Sequence, residues 1–251
     1  MLECKLLKRK NINDEKSRSM NNKKVYIVSG AGLSAESGIR TFRDTDGLWE
    51  EYSIEEVCSV GGFMRDRQKV LDFYDARRAD IEQKEPNYAH KRLAELKNRY
   101  PDNVKILTQN VDDMLERAGC KEVIHLHGTL TDLRCEDCGK VFHIGYRSQE
   151  GAVCPSCGSY NIRHNVVMFG EPAPAYRYLN ELYTEADMVV VIGTSGQVID
   201  TAYMAQLVEY SILNNLDIDE HHDQYFKVKL YKPATEAVDE IYELVEEFLE
   251  S

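Results

Sequence analysis

The sequence predicts an α/β protein: a Rossmann-like parallel sheet with helices on both faces, plus a small zinc-ribbon and helical domain. Three observations predict it. Short β-rich runs alternate with longer helical patterns, which implies right-handed crossovers between parallel strands. The first run ends in Gly30-x-Gly32-x-x-Ala35, a fit to the dinucleotide-binding fingerprint. Four of the seven cysteines fall as two C-x-x-C pairs, Cys135/Cys138 and Cys154/Cys157, with fifteen residues between the pairs.

The candidate strands, in order, are KVYIVSG (24–30), VKILTQN (104–110), EVIHLHG (122–128), NVVMFGE (165–171), DMVVVIGTS (187–195), SILNNL (211–216) and FKVKLY (226–231). Several are near-continuous apolar runs, as strands covered on both faces are. NYAHKRLAELKNRY repeats apolar residues at helical spacing. TEAVDEIYELVEEFLE does so more clearly, with Val238, Ile241, Leu244, Val245 and Phe248 on one stripe. Two segments interrupt the alternation. One, about 43–86, is helical, polar and strandless; the other, about 129–164, holds the cysteine pairs. Together they read as a small second domain inserted into a folded unit of residues 23–251. Residues 1–22 are polar and lysine-rich and read as a disordered tail.

A chain of 251 residues buries a sizeable core without staples. Its 43% apolar and 29% charged residues are those of a globular protein. The net charge of −12 argues against general affinity for nucleic acid, which needs a basic footprint. It is compatible with a basic partner such as a lysine-bearing peptide, although solubility alone accounts for such a charge. No apolar run reaches the length of a membrane helix. The first residues lack the apolar core of a signal peptide, so the expected compartment is the cytoplasm, where disulfides are rare.

The cysteine pairs therefore read as metal ligands. Their spacing matches the zinc template, and Gly139 and Gly158 suit the tight turns that follow each pair. Four thiolates close a tetrahedral shell and leave no position for water or substrate. Such a zinc ion is structural, and the chemistry belongs elsewhere. Cys4, Cys58 and Cys120 stand outside the pattern and read as bystanders or small packing residues.

The motifs GAGLSAESGIRTFR, TQNVDDMLERAG, HLHGTL, the two cysteine pairs, VVMFGE and GTS occur in this order. Together they resemble the sirtuins, the NAD-dependent protein lysine deacylases, over essentially all of the chain from Lys23 onward. The resemblance implies that NAD lies across the sheet edge between the core and the small domain. Gly30, Ala31, Gly32 and Ser34 would cradle its phosphates, with Phe42 and Arg43 on a loop covering the nicotinamide ribose. Gln109, Asn110 and Asp112 would line the nicotinamide and ribose pocket. Gly193, Thr194 and Ser195 would hold the phosphate and adenosine end, with Asn215 and Ala234 near the adenosine. Asn110 and Asp112 also stand where they would simply cap a helix. The acidic residue that ordinary dehydrogenases carry about twenty positions after the glycine turn is not obvious here.

The resemblance also makes His127 the general base, with His125 as its rival on the same strand; an imidazole titrates near the operating pH. The pair His221/His222 reads as a solvated loop. In the implied reaction the acyl oxygen of a substrate lysine attacks the ribose carbon and nicotinamide leaves. His127 then deprotonates a ribose hydroxyl, which attacks the imidate. Water releases free lysine and O-acyl-ADP-ribose. The peptide would lie as an added strand beside Phe169, Gly170 and Glu171. Tyr74 and Arg77, one helical turn apart, resemble the pair that binds the acyl carboxylate in sirtuins with desuccinylase activity. The surrounding motifs look most like the bacterial members, which also remove acetyl groups. Cys58 stands where those relatives have alanine, which narrows the expected acyl pocket. Asp200 and Thr201 replace a proline common near a helix start, and Asp200 is expected to cap that helix.

Two alternatives use other chemistry. The same site would serve an ADP-ribosyltransferase or an NAD hydrolase. A protein with no catalytic role would use the zinc ribbon as a binding module.

Overall fold

The computed structural model describes residues 23–39 and 52–251. The tail at 1–22 and the loop carrying Phe42 and Arg43 lie outside the described residues. The strands are β1 (Val25–Ser29), β2 (Val104–Thr108), β3 (Ile124–His125), β4 (Gly128–Cys135), β5 (Val141–His143), β6 (Ile162–Val166), β7 (Met188–Ile192), β8 (Tyr210–Asn215) and β9 (Val228–Tyr231). Six of them form one sheet in the order β3-β2-β1-β7-β8-β9, with every pairing parallel.

The apolar runs explain the placement. VYIVS and MVVVI are buried at every residue because both faces of the sheet are covered. Alternate residues of β1 enter opposite layers. Val25 and Ile27 pack with Leu93, Leu96, Ile241 and Val245 from the helices Tyr88–Arg99 and Ala234–Glu250. Tyr26 and Val28 pack with Leu179, Leu182 and Met204 from the helices Arg177–Glu185 and Thr201–Gln206. From β1 the chain builds outward to β2 and β3, then returns to β7 on the other side of β1. The crevice above the ends of β1 and β7 is therefore the topological switch point, where open α/β sheets bind ligands.

The stretch NVVMFGE corrects an expectation. It supplies no strand to the parallel sheet. Its first residues end β6, which pairs antiparallel with β4 in a separate sheet of order β5-β4-β6. The burial pattern explains the difference: Val166 and Met168 are buried while Val167 between them is half-exposed. That alternation belongs to a strand covered on one side. EVIHLHG is likewise shorter than expected, with only Ile124–His125 paired in the sheet.

Three consecutive helices, Ile54–Val57, Val60–Arg65 and Arg67–Glu82, cover the small sheet; Ser53, Ser59 and Asp66 cap them through side-chain acceptors. They bury Val57, Val70, Phe73 and Tyr74 against Leu130, Val166 and Met168. Arg78 is fully buried; its Nε donates to the Leu130 carbonyl at 2.5 Å and its guanidinium pairs with Asp75. His222 is also corrected. It sits in the short helix Glu220–Asp223, close to Thr201 Oγ1 (2.8 Å) and Asp223 Oδ1 (2.9 Å), instead of in a solvated loop. Asp200 caps the helix Thr201–Gln206 as expected, accepting from the Tyr203 N–H. Among the described residues no helix is long and apolar enough to cross a membrane.

Gly62 tests the helical packing. A Cβ there would stand 2.0 Å from the Glu56 carbonyl oxygen. In an open helix, Gly→Ala gains about 1 kcal/mol, whereas overpacking costs about 1–3 kcal/mol. Gly62→Ala is expected to lower the melting temperature; a thermal melt showing a rise would mean that these helices do not pack this closely.

Candidate active site

The loops after β1 and β7 meet at van der Waals limits. A Cβ on Gly32 would fall 2.6 Å from the Gly193 Cα, and one on Gly30 would fall 2.7 Å from the Gly193 oxygen. The Gly30 N–H donates to the Ile192 carbonyl and the Gly32 N–H to the Gly193 carbonyl, both at 2.9 Å. These glycines thus bring two loops together, and their own N–H groups are spent on that contact. This differs from the simple fingerprint reading, in which the glycine N–H groups face a pyrophosphate. Thr194 ties in two more loops: Gln109 Nε2 donates to its Oγ1 at 3.0 Å, and Asn215 Nδ2 donates to its carbonyl at 2.9 Å. Ala31 and Ser195 are half-buried in the same two turns. Ala234 begins the last helix and is buried in the core below.

Beside this crevice lies a buried polar net. The backbone N–H of Asn87 donates to His90 Nδ1 at 3.2 Å. His90 Nδ1 is therefore an acceptor, and its Nε2–H points at Ser34 Oγ, 3.2 Å away. Asn110 Nδ2 also donates to Ser34 Oγ, at 3.0 Å. With both lone pairs used, the Ser34 hydroxyl proton is free for the Asp112 carboxylate, which also accepts from the Met114 N–H at 3.1 Å. Burial pushes the Asp112 carboxyl above its usual range, opposed by these two donors. Burial holds His90 down to about 4, so it is neutral at ordinary pH.

The two rival histidines are separated by their partners. His125 has Asn110 O at 2.9 Å from Nδ1 and Glu116 Oε1 at 2.7 Å from Nε2, so both nitrogens are occupied. His127 stands between β3 and β4, half-buried. Its Nδ1 lies 3.1 Å from the Gln109 carbonyl, which can only accept, so the proton sits on Nδ1. The Nε2 lone pair meets the Tyr176 hydroxyl at 2.9 Å. Burial is the main influence on His127 and lowers its pKa, opposed by the Gln109 carbonyl. A neutral imidazole whose lone pair meets a donor can take a proton there once that donor is displaced.

The sequence profile described as "Sir2 family" matches residues 30–200, more than half of the chain. This protein belongs to the Sir2 family. A "NAD-dependent protein deacylase" of Campylobacter jejuni is 49% identical over 227 residues, covering 90% of this chain and 97% of that protein. One of Helicobacter hepaticus, with the same name, is 39% identical over 250 residues, covering 90% and 98%. A solved structure titled as a Sir2 homolog–NAD complex superposes with a TM-score of 0.77 at 35% identity, covering 92% of this chain and 93% of that one.

In this Sir2-family chain, Tyr74 is buried and its hydroxyl donates to Cys58 Sγ at 3.3 Å. The Arg77 guanidinium lies 6.0 Å from the Tyr74 ring centre and lowers the Cys58 thiol, which burial pushes up more strongly. Sequence reasoning placed Tyr74 and Arg77 together but read Cys58 only as bulk; the hydroxyl–thiol contact needs the fold. Phe169 exposes its side chain while its backbone pairs with Cys58 and Val60. Gly170 adopts φ 95°. Glu171 turns inward, pairing with Arg163 and accepting from the Met168 N–H at 2.9 Å. Reading the sequence missed His90 and Tyr176. Asn87 followed three residues later by a polar side chain is a helix-start signal that marks His90; nothing local marks Tyr176.

The four cysteines converge at the far end of β4. Their Sγ atoms all lie within 4.8 Å of one another, with Cys135–Cys157 at 3.7 Å and Cys138–Cys154 at 3.6 Å. These are not disulfide distances. Zn–S bonds of about 2.3 Å in a tetrahedron require sulfurs about 3.8 Å apart, so the set fits zinc. The turns are matched: Gly139 N–H returns to the Cys135 carbonyl and Gly158 N–H to the Cys154 carbonyl. Cys135→Ser is expected to lose the metal, measured by elemental analysis, and to lower the melting temperature and the activity together. Full activity without metal would contradict a structural zinc.

Proposed function

We propose that this protein is an NAD-dependent protein lysine deacylase in which His127 is the general base. The observation that carries the reading is a neutral, half-buried imidazole whose proton is parked on Nδ1 against the Gln109 carbonyl, which leaves Nε2 as a hydrogen-bond acceptor. Two further facts support it: family membership, and relatives whose names state this activity. When bound, NAD supplies a reactive ribose carbon and ribose hydroxyls, and it is consumed to nicotinamide and O-acyl-ADP-ribose as lysine is freed.

The chain's own residues divide the work. Gly30, Ala31, Gly32 and Ser34 line the turn proposed for the phosphates, and Gly193, Thr194 and Ser195 line the facing turn. Gln109, Asn110 and Asp112 are assigned to the nicotinamide and ribose end, with Asn215 and Ala234 at the adenosine end. Phe42 and Arg43 are assigned to the covering loop. The buried Ser34–His90–Asn110 net keeps the Asn110 side chain in one orientation. His127 removes the hydroxyl proton onto Nε2, and the Gln109 carbonyl stabilises the imidazolium that results. The insertions at about 43–86 and 129–164 are assigned to one small unit, with the zinc proposed to hold the wall opposite the core and the acyl-lysine peptide to lie beside Phe169, Gly170 and Glu171. A reducing cytoplasm suits cysteines kept as metal ligands instead of disulfides.

His127→Ala is expected to lose about 10²–10⁴-fold in turnover while still binding NAD in calorimetry. His125→Ala should lose far less, because both His125 nitrogens face acceptors, Asn110 O and Glu116 Oε1, and leave no lone pair to take a proton. Equal losses in the two variants would remove His127 from the role of base.

For acyl choice, Tyr74 and Arg77 are assigned to a terminal carboxylate. A charge-assisted hydrogen bond is worth about 1.5–3 kcal/mol. Arg77→Met is therefore expected to lower kcat/KM for succinyl-lysine about ten- to a hundredfold, with acetyl-lysine little changed. Cys58→Ala, by freeing the Tyr74 hydroxyl, is expected to raise succinyl over acetyl turnover. Equal losses on both substrates in Arg77→Met would make the residue structural and the protein a plain deacetylase.

A further inference from the structure

We propose that Tyr176 gates and positions the base: its hydroxyl occupies, on His127 Nε2, the place of the incoming ribose hydroxyl. Co-substrate binding then exchanges one hydroxyl for the other. The inference rests on the reading of His127 as base.

His127 donates through Nδ1 to the Gln109 carbonyl, so Nε2 carries the ring's single in-plane acceptor site. Tyr176 Oη sits 2.9 Å from it. The ring centres are 5.8 Å apart and tilted by 46°, so the contact is made through the hydroxyl rather than by stacking. Burial pushes the Tyr176 phenol up, so it stays protonated and is the donor. One acceptor site cannot serve a phenol and a ribose hydroxyl at once. Tyr176 ends the 3-10 turn Pro174–Tyr176, between Glu171 and the helix Arg177–Glu185, and its ring leans on the core layer that includes Leu179 and Leu182.

Other ionisable groups nearby do not produce this arrangement. His125, Glu116 and Asp112, on the neighbouring elements, interact with one another, and the influences acting on His127 are burial and the Gln109 carbonyl. In the NAD-free protein the Tyr176 bond thus has two effects. It favours the neutral imidazole, since an imidazolium cannot accept, and it blocks Nε2 until a ligand hydroxyl displaces it.

Tyr176→Phe keeps the ring and deletes the donor. Losing one neutral hydrogen bond corresponds to about threefold to tenfold in an equilibrium. The KM for NAD is expected to fall by about that factor. The His127 imidazole, followed by NMR against pH in the NAD-free protein, should titrate about 0.5–1 unit higher, because the neutral form has lost its partner. The acid limb of kcat/KM, which reports the free enzyme, should move the same way. An unchanged His127 titration, or a raised KM for NAD, would overturn the proposal. Activity surviving in His127→Ala would overturn the assignment of the base instead, and the titration would still decide whether Tyr176 holds this nitrogen.

Discussion

The site depends on the backbone at Gly128. Its φ is +80°, and a Cβ there would stand 2.0 Å from the Asn165 carbonyl oxygen, so only glycine fits. At this residue the chain leaves the parallel sheet and enters the one that carries the four cysteines. His127, immediately before it, is held from both sides: Leu126 N–H donates to the Thr108 carbonyl in the core, and Val167 N–H donates to the His127 carbonyl from the small sheet. The proposed base is therefore clamped at the seam between the two layers. The strand that starts at Gly128 ends at Cys135, so a metal that closes the shell fixes the far end of the same strand. A structural metal reaches the chemistry through backbone, without touching it.

Charge is managed by burial more than by ion pairs. His90, Asp112 and His127 all sit where desolvation is the largest influence. Desolvation keeps both histidines neutral and works against ionisation of the aspartate. The hydrogen bonds then decide which atom carries each proton. The Asn87 N–H puts the His90 proton on Nε2, and the Gln109 carbonyl puts the His127 proton on Nδ1. Opposite tautomers on two nearby elements are thus set by backbone groups, which cannot rotate away as side chains can. This is a way to preorganise a polar site before any ligand arrives.

Much of the architecture was legible from the chain alone, for identifiable reasons. VYIV and MVVVI are unbroken apolar runs bounded by turn residues, as strands covered on both faces are. The cysteine spacing carried its own geometry, since two knuckle turns with glycine after each leave four sulfurs little else to do. NVVMFGE misled because an apolar run of four looks alike in a parallel core strand and in a one-sided antiparallel strand; its burial alternates, but the sequence does not. Gly30 and Gly32 were recognisable as a turn, yet their packing against Gly193 depends on a loop some 160 residues away. The pairing of Tyr176 with His127, and of Cys58 with Tyr74, is likewise long-range and leaves no local pattern to read.

The account stands on acyl transfer to an NAD-derived ribose at this crevice. The most direct measurement is product stoichiometry by mass spectrometry, with one acetyl-lysine peptide and NAD. Equal amounts of nicotinamide, free-lysine peptide and O-acetyl-ADP-ribose, with no NAD loss when the peptide is omitted, are what the account predicts. Nicotinamide released at the same rate without peptide, or ADP-ribose found attached to protein while the acetyl group remains on lysine, would contradict it.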